Sequence, residues 1–197
     1  MAFALAIISD CMTRQNVDDI PLRAPRYSIR PFPPYRFLPG RDPHPTANPQ
    51  GHSYVPPGHH EAPVGWKPPE EWRTCQEYLY GCDLHNHGYW WEAHEAWEGL
   101  WRVCPRDSVQ KRFLQGLIQV AACHLKLQLG NREGIERLRE SMHGHVHAAL
   151  ADIGADRYMG LDLATFVKRV DEYFDEALGC PGKPRHELDH FPYVTLL

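Results

Sequence analysis

The residues best placed to do chemistry crowd into one stretch, G-Y-W-W-E-A-H-E-A-W-E-G-L-W-R, from Gly88 to Arg102. It holds three glutamates, a histidine and four of the chain's six tryptophans. His94 and Glu98 stand at i, i+4, which puts an imidazole nitrogen and a carboxylate oxygen side by side on a helix. Such a pair can ligate a divalent transition metal, with further ligands from a facing helix. It can equally act as a general base held by its carboxylate. Glu92 and Glu95 crowd the same helix, so the candidate catalytic set is Glu92, His94, Glu95 and Glu98. His124, on an apolar face farther along, is the candidate third ligand, which makes the metal set His94, Glu98 and His124. A purely structural assignment competes with both: His94 as a hydrogen-bonded core residue and Glu98 paired with Arg102 one turn later. The stretch is not the H-E-x-x-H of metalloproteases, because residue 98 is glutamate.

Other candidates carry less. His143, His145 and His147 alternate, but two helical steps turn about 200°, so His145 faces away from the other two. His143 and His147 share a stripe with Glu136 and Glu140, as a solvated polar face would. Cys123 adjoins His124 only in sequence. His44, His52, His59 and His60 could be carried to a site by the fold, though nothing in the sequence says where. There is no Gly-rich phosphate loop and no G-x-S-x-G elbow, and no residues are assigned to cofactor binding.

Positioning the opening stretch requires helices. At about 100° per residue, Trp90, Ala93, Trp97, Leu100 and Trp101 share an apolar face, and His94 is expected inside it. Pro68-Pro69-Glu70-Glu71 suits a first turn, so helices are expected over about 70–85 and 88–103, with Asn86-His87-Gly88 as the corner and Pro105 as the stop. A cap at Asp107-Ser108 opens a central, mostly buried helix to about 129. Two more are expected over about 132–152 and 163–178, the last capped by Asp162. No alternating strand pattern is present. The fold class is therefore all-α, a bundle of about five helices with an extended Pro-rich N-terminal arm.

The arm is a matter of composition: fourteen of the eighteen prolines lie between Pro21 and Pro69, and proline excludes helix and central strand. Proline richness suggests a mobile tail, while Tyr27, Phe32, Tyr35, Phe37, Tyr54 and Trp66 suggest an arm wrapped on the bundle. The composition is compatible with either. The expected organisation is a leader and arm over 1–69, a bundle over 70–180 and a tail over 181–197. A net charge of −4 supplies no basic patch for nucleic acid or an anionic membrane. No apolar run reaches the roughly 20 residues of a membrane span. Residues 1–8 are apolar but lack the basic flank and cleavage site of a signal peptide. Six dispersed cysteines then read as reduced thiols in a cytoplasmic protein.

The run L-H-N-H-G-Y-W-W-E-A-H-E-A-W-E-G-L-W-R, followed by F-L-Q-G-L-I-Q-V-A-A and L-G-N-R-E-G, resembles the family catalogued as domain of unknown function 309, over about residues 70–152. The arm phrase P-P-Y-R-F-L-P-G-R-D-P-H-P, with G-H-S-Y after it, resembles a longer bacterial subgroup. The resemblance implies a small all-helical bundle and no established activity. Glu92, His94, Glu95, Glu98 and Trp101 occupy the family's characteristic positions, whereas its polar or basic residues fall nearer Lys126 than His124. Two functions are expected to compete: a non-catalytic interaction or regulatory module, with a protein or small molecule as partner and homo-oligomerisation admitted, and a metal-dependent enzyme of hydrolase type using His94 and Glu98.

Overall fold

Pro68, Pro69 and the acids after them do start a helix, but a shorter one than the spacing predicts. In the computed structural model, which describes residues 24–59, 63–180 and 191–197, Pro69–Thr74 is a 3-10 helix. Cys75 then leaves helical geometry, at φ −81° and ψ 92°, and helix α1, Gln76–Asn86, starts afresh. The single helix expected over 70–85 is thus two pieces. The break sets Trp72 edge-on to Tyr78, ring centroids 6.4 Å apart.

Gly88, at φ 77°, makes the corner that the Asn-His-Gly sequence predicts. Helix α2 follows, Trp90–Val103, and then the central α3, Val109–Gln128, whose first turn is capped by the Ser108 side chain accepting from Lys111 N–H. Helix α4 spans Arg132–Ile153, capped by Asn131. Helix α5, Leu163–Gly179, is capped by Asp162 as expected. Between α4 and α5 the chain forms a small antiparallel pair absent from the sequence reading, β1 (Arg157–Tyr158) and β2 (Leu161–Asp162). Strands of two residues are too short to show alternation. Among the described residues the fold is all-α apart from this pair.

Helix α3 lies between α2 and α4 and packs against both. Phe113, Leu114, Leu117, Val120 and Ala121 on α3 are buried, with Trp97 and Leu100 of α2 in the same core as Phe166, Val170, Tyr173 and Phe174 of α5. Trp97 approaches α1 so closely that a Cβ on Gly81 would stand 2.3 Å from the indole nitrogen. Glycine at 81 is what lets the two helices meet.

The described arm residues lie along α1 and α2. Asp83, fully buried on α1, accepts from Tyr27 N–H, Ser28 N–H at 2.8 Å and the Ser28 hydroxyl at 2.6 Å. The Tyr80 hydroxyl donates to Pro31 O at 2.9 Å. The tail joins the same end of α1: Asn86 exchanges two hydrogen bonds with the Val194 backbone, and Tyr27 Oη accepts from Leu196 N–H at 2.8 Å. These side chains supply the partners that an extended segment without a sheet neighbour otherwise lacks.

Candidate functional site

On α2 the buried stripe is Trp90, Glu92, Ala93, Trp97 and Leu100. His94 lies one step outside it. Its side chain is 29% exposed, so the expectation that it points into the interior is corrected: Ala93 occupies the inward position and a helical step carries His94 to the rim. Trp101 is likewise half-buried, with the Lys111 ammonium over its ring at 4.2 Å.

At that rim, one ligand atom from each of His94, Glu95 and Glu98 lies within 4.8 Å of the others. His94 Nδ1 is 3.3 Å from Glu95 Oε1, and the imidazole beside it holds the Glu95 carboxyl below the usual carboxylate range. Glu98 is also 3.0 Å from the Arg102 guanidinium, the pairing considered from spacing alone. The structure therefore brings together three of the four candidate catalytic residues and two of the three candidate ligands.

His124 is not in that cluster. It is fully buried on α3, stacked on Trp90 with centroids 4.7 Å apart and an interplanar angle of 10°. His85, Tyr173, Phe174 and Phe191 close round it at 4.9–5.4 Å. Beside it Cys123 has its thiol pushed up to about 12 by burial, so it stays protonated at neutral pH and is a poor nucleophile.

The fourth candidate, Glu92, is buried in a different direction. Its Oε1 accepts from Phe37 N–H at 2.9 Å and lies 3.0 Å from His52 Nε2, both groups coming from the arm. The His52 Nδ1 lies 2.8 Å from Ser53 Oγ, which fixes the ring from its other side. Burial raises the Glu92 carboxyl above its ordinary value, against the lowering effect of the Phe37 N–H, of its own backbone N–H and of His52. Its second oxygen, Oε2, is buried with no hydrogen-bond partner among the described residues. Glu92 and His52 line a cavity of about 730 Å³ between the arm and the α1/α2 face, together with Phe32, Tyr80, Trp91 and Glu95.

His52 is the site residue that spacing could not assign. Tyr35 and Trp91 meet its ring edge-on, at 4.6 and 6.5 Å. The aromatics around it in the arm mark a packed segment, but no periodicity in a proline-rich chain says which helix it meets. His44 packs against Trp91 and Phe37, and His60 lies outside the described residues. His143 Nε2 sits 3.0 Å from Asp171 of α5, in an ion-pair group with Arg139.

An all-α bundle with its histidine and acids gathered on one helix, and with an arm held to that helix by a buried carboxylate, is the class that fold and site define. Residues 78–138, from α1 into α4, match the family described as Domain of unknown function (DUF309). No curated protein and no solved structure matches the chain. No helix among the described residues is long and apolar enough to cross a membrane.

Proposed function

We propose that this protein is a helical interaction module without catalysis of its own, in which α2 is the receptor for the chain's Pro-rich arm. The observation that carries this is the use of Glu92. The most buried carboxylate of the motif accepts the Phe37 N–H and faces the His52 imidazole, so it holds the arm. In this reading 1–69 is leader and arm, 70–180 the bundle and 181–197 the tail. The partner is a protein or small molecule that meets the arm-covered face. A cytoplasmic setting accords with the five free cysteines among the described residues.

Glu92→Ala leaves a buried N–H and an imidazole without their acceptor. Limited proteolysis is expected to cut the variant's arm between residues 24 and 59 at least about tenfold faster than wild type, a local opening of about 1.4 kcal/mol. The helical core and its circular dichroism should be unchanged. Equal cutting of wild type and variant would remove the clamp, and the module reading with it.

A second reading is favoured by one observation, the 4.8 Å grouping of His94, Glu95 and Glu98. Three such donors could hold a divalent transition metal with open positions for an activated water, the chemistry of a hydrolase, and Glu92 would then serve as a supporting acid. Metal analysis of tag-free protein decides it. Stoichiometric metal that His94→Ala and Glu98→Gln lose while staying folded establishes the metal centre. Metal-free wild type, with His94→Ala altering only stability, rules it out.

A further inference from the structure

We propose that Ser53 is an activated serine, a nucleophile that takes the acyl group of a reactive carboxylic ester onto its Oγ, with His52 as the base and Glu92 positioning that base. The inference goes beyond the module reading and shares one condition with it: the docked arm is what carries His52 to Glu92.

The three groups stand in an unbroken hydrogen-bonded chain. Ser53 Oγ lies 2.8 Å from His52 Nδ1, and His52 Nε2 lies 3.0 Å from Glu92 Oε1. That Glu92 oxygen also accepts the Phe37 N–H at 2.9 Å, so it is the acceptor and Nε2 the donor. Nδ1 is left with the lone pair, and it faces the Ser53 hydroxyl. This is the order nucleophile, base, acid of a serine hydrolase, with the two ring nitrogens exchanged. The ring is held in place: its side chain is 4% exposed, and Tyr35 and Trp91 meet it edge-on. Only the nucleophile needs access, and Ser53 is half-buried and lines the cavity of about 730 Å³. Glu92 needs no opening of its own, because it acts through the imidazole.

The surroundings of the carbonyl limit how far the reaction runs. Attack on the ester carbon forms the Oγ–C bond and puts negative charge on the carbonyl oxygen, while the hydroxyl proton passes to His52 Nδ1. Breaking the ester C–O bond releases the alcohol, which leaves with that proton, and acyl-Ser53 remains. Donors aimed at the carbonyl oxygen speed such steps by about 10²–10³ each, in acylation and in later hydrolysis alike. Here the N–H groups of His52, Ser53 and Tyr54 are taken by Tyr35 Oη at 3.3 Å, Pro45 O at 3.0 Å and Gly51 O at 3.1 Å. Arg30 and Arg102, the guanidinium groups of the lining, are held by Tyr80 and Glu98. The outcome is capture of a reactive ester without turnover, in keeping with a module that has no catalysis of its own.

The test is incubation of the full chain with p-nitrophenyl acetate, with acetylated positions mapped by peptide mass spectrometry and p-nitrophenolate release followed in parallel. Ser53 is expected to take up acetyl at least about tenfold faster than Ser28, Ser108 or Ser141, since a positioned base is worth more than that. The release that Ser53→Ala abolishes should stop at a single acetyl group per chain. His52→Gln removes the base and should slow acetylation of Ser53 at least about a hundredfold. Glu92→Gln keeps an oxygen for the Phe37 N–H, so the arm should stay protected from protease while acetylation slows at least about tenfold. Ser53 reacting no faster than the other serines, or an unchanged rate in His52→Gln, overturns the proposal. Continued turnover that Ser53→Ala abolishes would overturn single capture and the non-catalytic reading together. Limited proteolysis of the same samples separates the two ideas. An unreactive Ser53 under a protected wild-type arm sinks the activated serine alone, whereas rapid clipping of the wild-type arm sinks the module reading and the Ser53–His52–Glu92 chain with it.

Discussion

His85 sits fully buried at the C-terminal end of α1, its Nε2 3.0 Å from Pro192 O, with Trp97, His124, Phe166 and Phe191 around the ring. Donation of Nε2–H to that carbonyl needs only the neutral ring, and burial lowers the pKa to about 4. An unfolded chain protonates this histidine near its ordinary value of about 6.5. The unfolded state therefore binds the extra proton as pH falls from about 6.5 to about 4, and the stability that a neutral His85 contributes is lost across that window. The difference amounts to about 3 kcal/mol. Urea melts across this range should show wild type losing stability, with His85→Phe less stable near neutral pH but flatter toward acid. Parallel slopes would mean that His85 carries none of the effect.

At the scale of the helix, α2 divides its side chains among the core, the arm and an exposed rim. One side, with Trp97 and Leu100, enters the core shared with α3 and α5. Glu92 meets the arm, and His94, Glu95 and Glu98 remain at the rim. Trp97 is the anchor of this arrangement. It is fully buried, its indole N–H donates to Tyr78 O at 3.3 Å, and Gly81 of α1 gives it room. Trp97→Ala empties that space and removes the donor, for a loss of about 3–5 kcal/mol by chemical denaturation. A variant melting within about a degree or two of wild type would contradict the assigned core.

Across the whole molecule, the bundle is belted by segments that have little regular structure of their own. Two buried carboxylates, Asp83 on α1 and Glu92 on α2, accept backbone N–H groups of the arm from Tyr27 to Phe37. The tail threads beside the arm at Asn86 and ends in a bridge between Leu196 and Leu161 of β2. Asp83 and Glu92 grip different stretches of the arm, so the proteolysis expected of Glu92→Ala should begin near Phe37 and His52 and leave the Tyr27 end protected. Cutting that starts at Tyr27 instead would show that the clamp at Asp83 opens first.

The sequence by itself determined the helices and most of their ends, because 3.6-residue periodicity, caps at Ser108 and Asp162 and a glycine corner at Gly88 are local signals. It also singled out α2 as the element that gathers the candidate residues, through the density of Glu92, His94, Glu95 and Glu98. It could not separate those four residues, because neighbouring faces of one helix differ only in what another part of the chain brings to them. Tertiary structure decided that His94 stays at the rim, that His124 is enclosed by aromatics and that Glu92 faces His52, a residue forty positions away in a segment without periodicity. The Cys75 break and the β1/β2 pair were beyond local reading for a related reason: each is set by what the neighbouring elements pack against.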